Sequence, residues 1–189
     1  IEVTRQAIQG GARIIQLRDK LRPKGMLVPL ARELKRVCAE SDVLFIVNDY
    51  IDLAIDSDAD GLHIGQEDLP FATARKMLPG DKILGCSAAT LEEALKAEKE
   101  GADYIAIGSI YSTPSKPGTR IAGLETLRQG KKKVSVPVVA IGGINEDNIA
   151  EVISAGADAV AVISAVLGAD NVKEASQKLA AIINRGSAT

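Results

Sequence analysis

The chain has 189 residues, which is enough for one domain with a sizeable hydrophobic core and too few for two ordinary domains. We therefore predict a single domain over residues 1–189. A net charge of −2 and an aromatic content of 3% argue against a nucleic-acid partner. The longest nearly apolar stretch, 155–169, contains an aspartate and two glycines, which argues against a membrane span. Two cysteines are too few for a disulfide scaffold, so we expect a cytoplasmic protein, and the sequence leaves its oligomeric state open.

Seven short apolar runs predict strands that alternate with helices. Each run ends in polar or glycine-rich residues, and the runs span 13–20, 44–49, 62–68, 82–87, 104–116, 138–143 and 159–164. Their nearly continuous Val, Ile, Leu and Ala are typical of parallel strands that helices cover on both faces. Similar short turns, at 11–13, 58–61, 101–103 and 156–158, connect a helical pattern to the next strand.

This alternation predicts an α/β fold of the TIM (β/α)8 barrel type. A closed barrel needs eight strands, whereas the segment 2–10 has a helical pattern, so we expect the first strand to lie upstream of Ile1 and to be missing here. A doubly wound open sheet would also accommodate seven strands and is the alternative fold. In a barrel the active site lies at the carboxyl ends of the strands, so the polar residues there are the candidates.

Glycines and small residues after the last two runs predict a phosphate site. Gly142 and Gly143 follow the sixth run, and Ile163 and Ser164 end the seventh. The loops after the last two strands of a barrel commonly bind phosphate, because backbone N–H groups can approach the anion there. The alternative is that the two glycines only form a tight turn.

Asp49 and Asp68 form a candidate carboxylate pair. Each follows a strand, and the two strands are consecutive, so the side chains could share Mg²⁺, which is usually held by one or two carboxylates together with substrate phosphates. The alternative is that each aspartate caps the helix that follows it.

Three polar residues of the first run favour the metal site over capping. Gln16, Arg18 and Lys20 alternate along the run, so they point to the same face. Two cations beside two carboxylates and a phosphate site suggest that a metal-bound polyphosphate is handled here.

The motifs, taken together and in order, resemble thiamine phosphate synthase. The resemblance extends from about Gly11 to the end of the chain, and the segments that carry it are 16–20, 47–49, 60–68, 85–87, 102–104, 113–116, 139–144 and 162–164. It implies a (β/α)8 barrel that joins hydroxymethylpyrimidine diphosphate to thiazole phosphate and releases pyrophosphate. Small molecules would then be the partners of this chain.

The resemblance also implies a role for each matching residue. Asp49 and Asp68 would hold Mg²⁺ on the diphosphate. Arg18, Lys20 and Lys116 would be the catalytic residues, which contact the substrate and neutralise the charge that grows on the departing pyrophosphate. The residues that contact the pyrimidine diphosphate would be Gln16, Asn48 and Ser87. Those that bind the thiazole phosphate would be Thr113, Ser115, Gly143, Ile163 and Ser164.

Two other functions remain open at this stage. A thiazole tautomerase resembles this synthase, but it would need an acid–base histidine, and the only histidine, His63, lies within the third run, where we expect a packed core residue. A non-catalytic phosphate-binding protein would keep Gly142 and Gly143 but would gain nothing from a metal site. The synthase reaction needs no protein nucleophile, which agrees with a chain in which no Ser–His or Cys–His pair is evident from the sequence.

Overall fold

The computed structural model describes residues 1–113 and 118–186, and within these it forms one parallel sheet surrounded by helices. The strands are β1 Ile14–Leu17, β2 Leu44–Asn48, β3 Gly61–Ile64, β4 Ile83–Ala88, β5 Tyr104–Gly108, β6 Val138–Ile141 and β7 Ala159–Ala161. The helices are α1 Glu2–Gln9, α2 Lys24–Ala39, α3 Ile51–Asp56, α4 Phe71–Met77, α5 Leu91–Lys99, α6 Gly123–Lys133, α7 Ile149–Ser154, α8 Ser164–Leu167 and α9 Val172–Gly186. None of the helices within the described ranges has the length and apolar character that a membrane crossing requires.

The order of the strands identifies a barrel. The sheet runs β1-β2-β3-β4-β5-β6-β7, and every neighbouring pair is parallel. A doubly wound sheet reverses its strand order at a switch point, and this sheet has no reversal. The alternative fold is therefore wrong, and the barrel prediction is confirmed.

One strand position of the barrel, between β7 and β1, is not filled by the described residues. Central strands carry fully buried side chains such as Phe45, Leu84 and Ile105, whereas Ile14 of β1 is 49% exposed and β7 is only half-buried. Outside this gap, α9 packs against α1, so the helical layer continues across it. The arrangement agrees with the prediction of eight strand positions, one of them missing.

Three aspartates join the amino-terminal ends of the strands to the helical layer. Asp60, Asp103 and Asp158 each precede an odd-numbered strand, and each accepts a hydrogen bond from a backbone N–H at the start of the strand before it, at 2.8, 2.7 and 2.8 Å. The same three carboxylates pair with Lys35 of α2, Arg75 of α4 and Lys131 of α6. They lie at the end of the barrel opposite to the candidate site, where such contacts contribute to stability.

Candidate active site

The described candidate residues gather at the carboxyl ends of the strands. Because all seven strands are parallel, these ends lie at one mouth of the barrel. The candidates in or just after the strands are Gln16, Arg18, Lys20, Asn48, Asp49, Asp68, Ser87, Thr113, Gly143, Ile163 and Ser164. The two others, Ser115 and Lys116, lie outside the described residues.

Asp49 and Asp68 are neighbours at this mouth. Their carboxyl groups lie within hydrogen-bonding reach of each other. Lys20 Nζ lies 2.7 Å from Asp49 Oδ2, and Asp68 Oδ2 accepts a hydrogen bond of 2.7 Å from the N–H of Gly65. The mouth therefore contains two neighbouring carboxylates, one of which is in direct contact with an ammonium group.

The two aspartates do not cap the helices that follow them. The N-cap positions of α3 and α4 are Tyr50 and Pro70, and neither helix has a side-chain capping hydrogen bond. The alternative role that the sequence left open for Asp49 and Asp68, as caps of these helices, is therefore wrong.

The backbone at Asp49 has an unusual conformation. Its φ of 65° is in the left-handed region, which few residues other than glycine adopt, although Asp and Asn do so more readily than most. The N–H of Asp49 donates to the carbonyl of His63 on β3 at 2.8 Å, which holds this turn in place. Such strained positions tend to occur at functional sites, where the surrounding structure maintains them.

The environment of Asp49 disfavours its negative charge. Burial raises its pKa, the Asp68 carboxylate raises it further, and Lys20 opposes this shift without cancelling it. A divalent cation between the two carboxylates would relieve this repulsion, so the donor set fits Mg²⁺. Within the described ranges no group of three or more His, Cys, Asp and Glu side chains could hold a metal ion. The remaining ligands would then come from water and substrate, as is usual for Mg²⁺.

The loop after β1 is ordered by Asp19, which precedes Lys20. Its carboxylate accepts hydrogen bonds from the N–H groups of Leu21 and Arg22 at 2.9 and 3.0 Å. These bonds lower the pKa of Asp19 to about 2, and the bond from the Arg22 N–H has the largest effect.

Gln16, like Lys20, lies on the exposed side of the alternating pattern, as the sequence predicts for this run.

Asn48 lies at the mouth with little of its surface exposed. It is 9% exposed, and its carboxamide makes no hydrogen bond within the described parts of the chain. No buried side-chain nitrogen or oxygen of the described residues lacks a hydrogen-bond partner, so the Asn48 amide reaches solvent. A substrate contact stays the prediction for this residue.

The structure contains a Ser–His pair that the sequence did not reveal. His63 is buried, as predicted, but both its ring nitrogens have partners: Nε2 lies 2.8 Å from Ser87 Oγ, and Nδ1 lies 2.8 Å from the hydroxyl of Tyr104. The expectation that the chain lacks such a pair is therefore wrong. The three residues lie on β3, β4 and β5, far apart in sequence, and only the strand register brings them together.

The glycine turn after β6 lies against the loop that follows β5. Gly142 and Gly143 have φ of 101° and 67°, and a Cβ on Gly143 would lie 2.6 Å from the carbonyl oxygen of Ser112. Both features require glycine, so the tight turn is present, and phosphate binding by this turn stays a prediction. Ser164 begins α8, where the first N–H groups of a helix have no acceptor within the helix. This differs from the predicted strand 159–164, because β7 ends at Ala161.

Comparisons with known proteins agree on one family. The sequence model of the thiamine monophosphate synthase family matches residues 1–166. A thiamine-phosphate synthase of Moorella thermoacetica is 51% identical over 187 residues, which cover 98% of this chain and 89% of that protein. A thiamine-phosphate synthase of Pyrococcus furiosus is 45% identical over 183 residues, which cover 97% of this chain and 88% of that protein.

Solved structures give the same result. The thiamine phosphate pyrophosphorylase from Pyrococcus furiosus superimposes with a TM-score of 0.92 and 44% identity, over 98% of this chain and 89% of that one. A 3-hexulose-6-phosphate synthase has a TM-score of 0.74 and 20% identity, over 96% of this chain and 92% of that one, which is a likeness of fold alone. With a family model that matches most of its length and relatives about half identical to it, this chain belongs to the thiamine monophosphate synthase family.

Proposed function

We propose that this chain is a thiamine-phosphate synthase, which joins hydroxymethylpyrimidine diphosphate to thiazole phosphate and releases pyrophosphate. The observation that carries the proposal is the pair of neighbouring carboxylates, Asp49 and Asp68, at the mouth of the barrel, with Lys20 in contact with Asp49. An anionic diphosphate needs both a cation site and positive side chains, and this mouth offers both.

In the proposed reaction the bond between the pyrimidine methylene carbon and the diphosphate oxygen breaks, and its electron pair leaves with pyrophosphate. The thiazole nitrogen then donates its lone pair to the methylene carbon and forms the new C–N bond. Negative charge grows on the leaving group, and Lys20, Arg18 and Lys116 would stabilise it, since charges aimed at the developing anion lower such a barrier most. Mg²⁺ held by Asp49 and Asp68 would supply further positive charge to the diphosphate oxygens.

The substrates would lie on two sides of the mouth. Gln16, Asn48 and Ser87 would hold the pyrimidine. The N–H groups of the residues after β6 and β7 would bind the thiazole phosphate, with help from Thr113 and Ser115. The residues proposed for that phosphate are Gly143, Ile163 and Ser164.

The Ser87–His63 pair does not act as a nucleophile in this proposal. In a hydrolytic triad a buried carboxylate stands behind the histidine and stabilises the imidazolium. Here Tyr104 stands behind His63, and burial raises the pKa of that phenol, so it supplies no negative charge. A dissociative substitution needs no covalent intermediate with the protein.

Incubation of the purified chain with both substrates and Mg²⁺ tests the proposal. Thiamine phosphate should form only when all three are present, and a chelator should stop it. Turnover of a thiazole substrate alone, dependent on His63 and indifferent to Mg²⁺ and Asp49, would indicate an acid–base isomerase instead. Phosphate binding without any turnover would indicate a binding protein.

A further inference from the structure

Three side chains inside the barrel form one hydrogen-bonded chain that ends at Ser87. The Tyr104 hydroxyl lies 2.8 Å from His63 Nδ1, and His63 Nε2 lies 2.8 Å from Ser87 Oγ. His63 is 6% exposed. The reaction proposed above gives neither His63 nor Tyr104 a chemical task, so a buried polar chain directly behind a substrate contact needs an explanation.

The strand register builds this chain. His63, Gly85 and Tyr104 occupy one row across β3, β4 and β5. A Cβ on Gly85 would lie 2.0 Å from Tyr104 Cζ, so only glycine leaves room for the phenol ring to cross β4. The ring then stacks on His63, with centroids 5.5 Å apart and planes inclined by 24°. Residues on all three strands are thus suited to this one contact.

The tautomer of His63 determines the direction of both hydrogen bonds. A buried phenol is satisfied when it donates its proton, and the partner of the Tyr104 hydroxyl in the described parts of the chain is His63 Nδ1, which we take as the acceptor. In a neutral imidazole the ring proton is then on Nε2, which donates to Ser87 Oγ. The Ser87 hydroxyl has accepted one hydrogen bond and still has its own proton to donate.

We propose that His63 and Tyr104 are positioning residues that make Ser87 an obligatory hydrogen-bond donor to a ring nitrogen of the heteroaromatic substrate. The inference rests on the proposed function, because it takes the pyrimidine as the ligand of Ser87. If a substrate analogue presented a ring N–H at this position, that N–H and the Ser87 O–H would both be hydrogen-bond donors and could not pair. The site would therefore reject such an analogue.

The tautomer of His63 tests the direction of the chain. His63 is the only histidine of the sequence, so a ¹⁵N spectrum of labelled imidazole contains one side chain. We expect the Nε2–H tautomer in the unmodified protein and in Ser87→Ala, and a mixture of tautomers in Tyr104→Phe, which lacks the directing proton. The Nδ1–H tautomer or an imidazolium in the unmodified protein would overturn the inference, and this result does not depend on whether any variant folds.

Kinetics test the consequence for the substrate. Tyr104→Phe and Ser87→Ala should each raise KM for the pyrimidine diphosphate about tenfold, the effect of one hydrogen bond, and leave KM for thiazole phosphate unchanged. Tyr111→Phe is the matched control, since it removes a hydroxyl that donates to Glu151 at 3.0 Å at the surface, and it should change neither constant.

The outcomes separate this inference from the proposed function. An active protein in which Tyr104→Phe changes neither the tautomer nor KM for the pyrimidine would overturn the positioning role. A purely structural role of Tyr104 would lower the melting temperature and affect both KM values alike, which would also overturn it. If the unmodified protein forms no thiamine phosphate, the proposed function fails and the pyrimidine is removed as the ligand of Ser87.

Discussion

Replacing Asp49 by asparagine isolates the charge of the proposed metal site. Asn keeps an oxygen that can accept from Lys20, which lies 2.7 Å away, and it tolerates the φ of 65° at this position. Asp49→Ala would remove the same charge but would add a backbone strain of about 1–2 kcal/mol in the left-handed region. The asparagine variant therefore separates the electrostatic effect from a loss of stability.

The expected magnitude follows from the contact between Asp49 and Asp68. At an effective dielectric constant of ~20, two unit charges ~4 Å apart interact by about 4 kcal/mol. Losing one carboxylate thus removes several kcal/mol of attraction for a divalent cation. Part of this loss is offset, because Asp68 no longer has a second negative charge beside it. We expect a fall in kcat of about 10²–10³, which corresponds to the loss of one transition-state stabiliser. Asp49→Ala should lower kcat at least about 10²-fold for the same reason.

The assay is steady-state formation of thiamine phosphate at saturating Mg²⁺ and both substrates. Asp58→Asn is the matched control: Asp58 also has a positive φ, of 51°, and also pairs with a lysine, Lys82, but it lies at the amino-terminal end of β3. The control should have normal kcat. Normal kcat in Asp49→Asn, or an equal loss in both variants, would show that the charge of Asp49 has no role in turnover.

Three further predictions concern other parts of the molecule. Lys116→Ala should lower kcat about 10²-fold, because the proposed mechanism uses its charge to stabilise the leaving group. Near-normal kcat would remove Lys116 from the mechanism. Gly143→Ala should weaken thiazole phosphate binding and lower the melting temperature, since its Cβ would lie 2.6 Å from the carbonyl oxygen of Ser112. In crystals of the unmodified protein, a soaked phosphate ion should lie against the N–H groups of Gly143 and Ser164. An empty site at saturating phosphate would contradict this. Asp103→Asn should lower the free energy of unfolding in urea by about 1 kcal/mol with kcat unchanged, because its carboxylate holds the Leu84 N–H at the opposite end of the barrel.

The fold and the carboxylate pair could be predicted from the sequence because parallel strands impose a simple rule. Residues that follow consecutive strands must lie side by side, so the positions of Asp49 and Asp68 in the sequence already imply their contact. The same rule places Lys20 beside them. It needs only the order of the strands, not their register.

The contact between His63 and Ser87 depends on register and could not be predicted in this way. Which residue of β3 faces which residues of β4 and β5 is determined by strand stagger, which the apolar pattern does not encode. One feature of the sequence pointed to it: Gly85 interrupts an otherwise apolar strand, and a glycine in a strand interior often marks a close approach by another group. Here that group is the ring of Tyr104.

The aspartates at the starts of strands were visible in the sequence only as part of a turn pattern. The turns 58–61, 101–103 and 156–158 were interpreted through the glycine that ends the preceding helix. The structure shows that Asp60, Asp103 and Asp158 within them bond to the neighbouring strand and to a cation on the helix before it. In each of these hydrogen bonds the donor and the acceptor are 15 to 20 residues apart in the sequence. Local sequence patterns do not indicate contacts at such separations.

The most direct measurement is the joint quantification of thiamine phosphate and pyrophosphate formed by the purified chain. With hydroxymethylpyrimidine diphosphate, thiazole phosphate and Mg²⁺, we expect one pyrophosphate for each thiamine phosphate, and neither product when Mg²⁺ is chelated. Pyrophosphate released without thiamine phosphate, or equal rates with and without Mg²⁺, would contradict it.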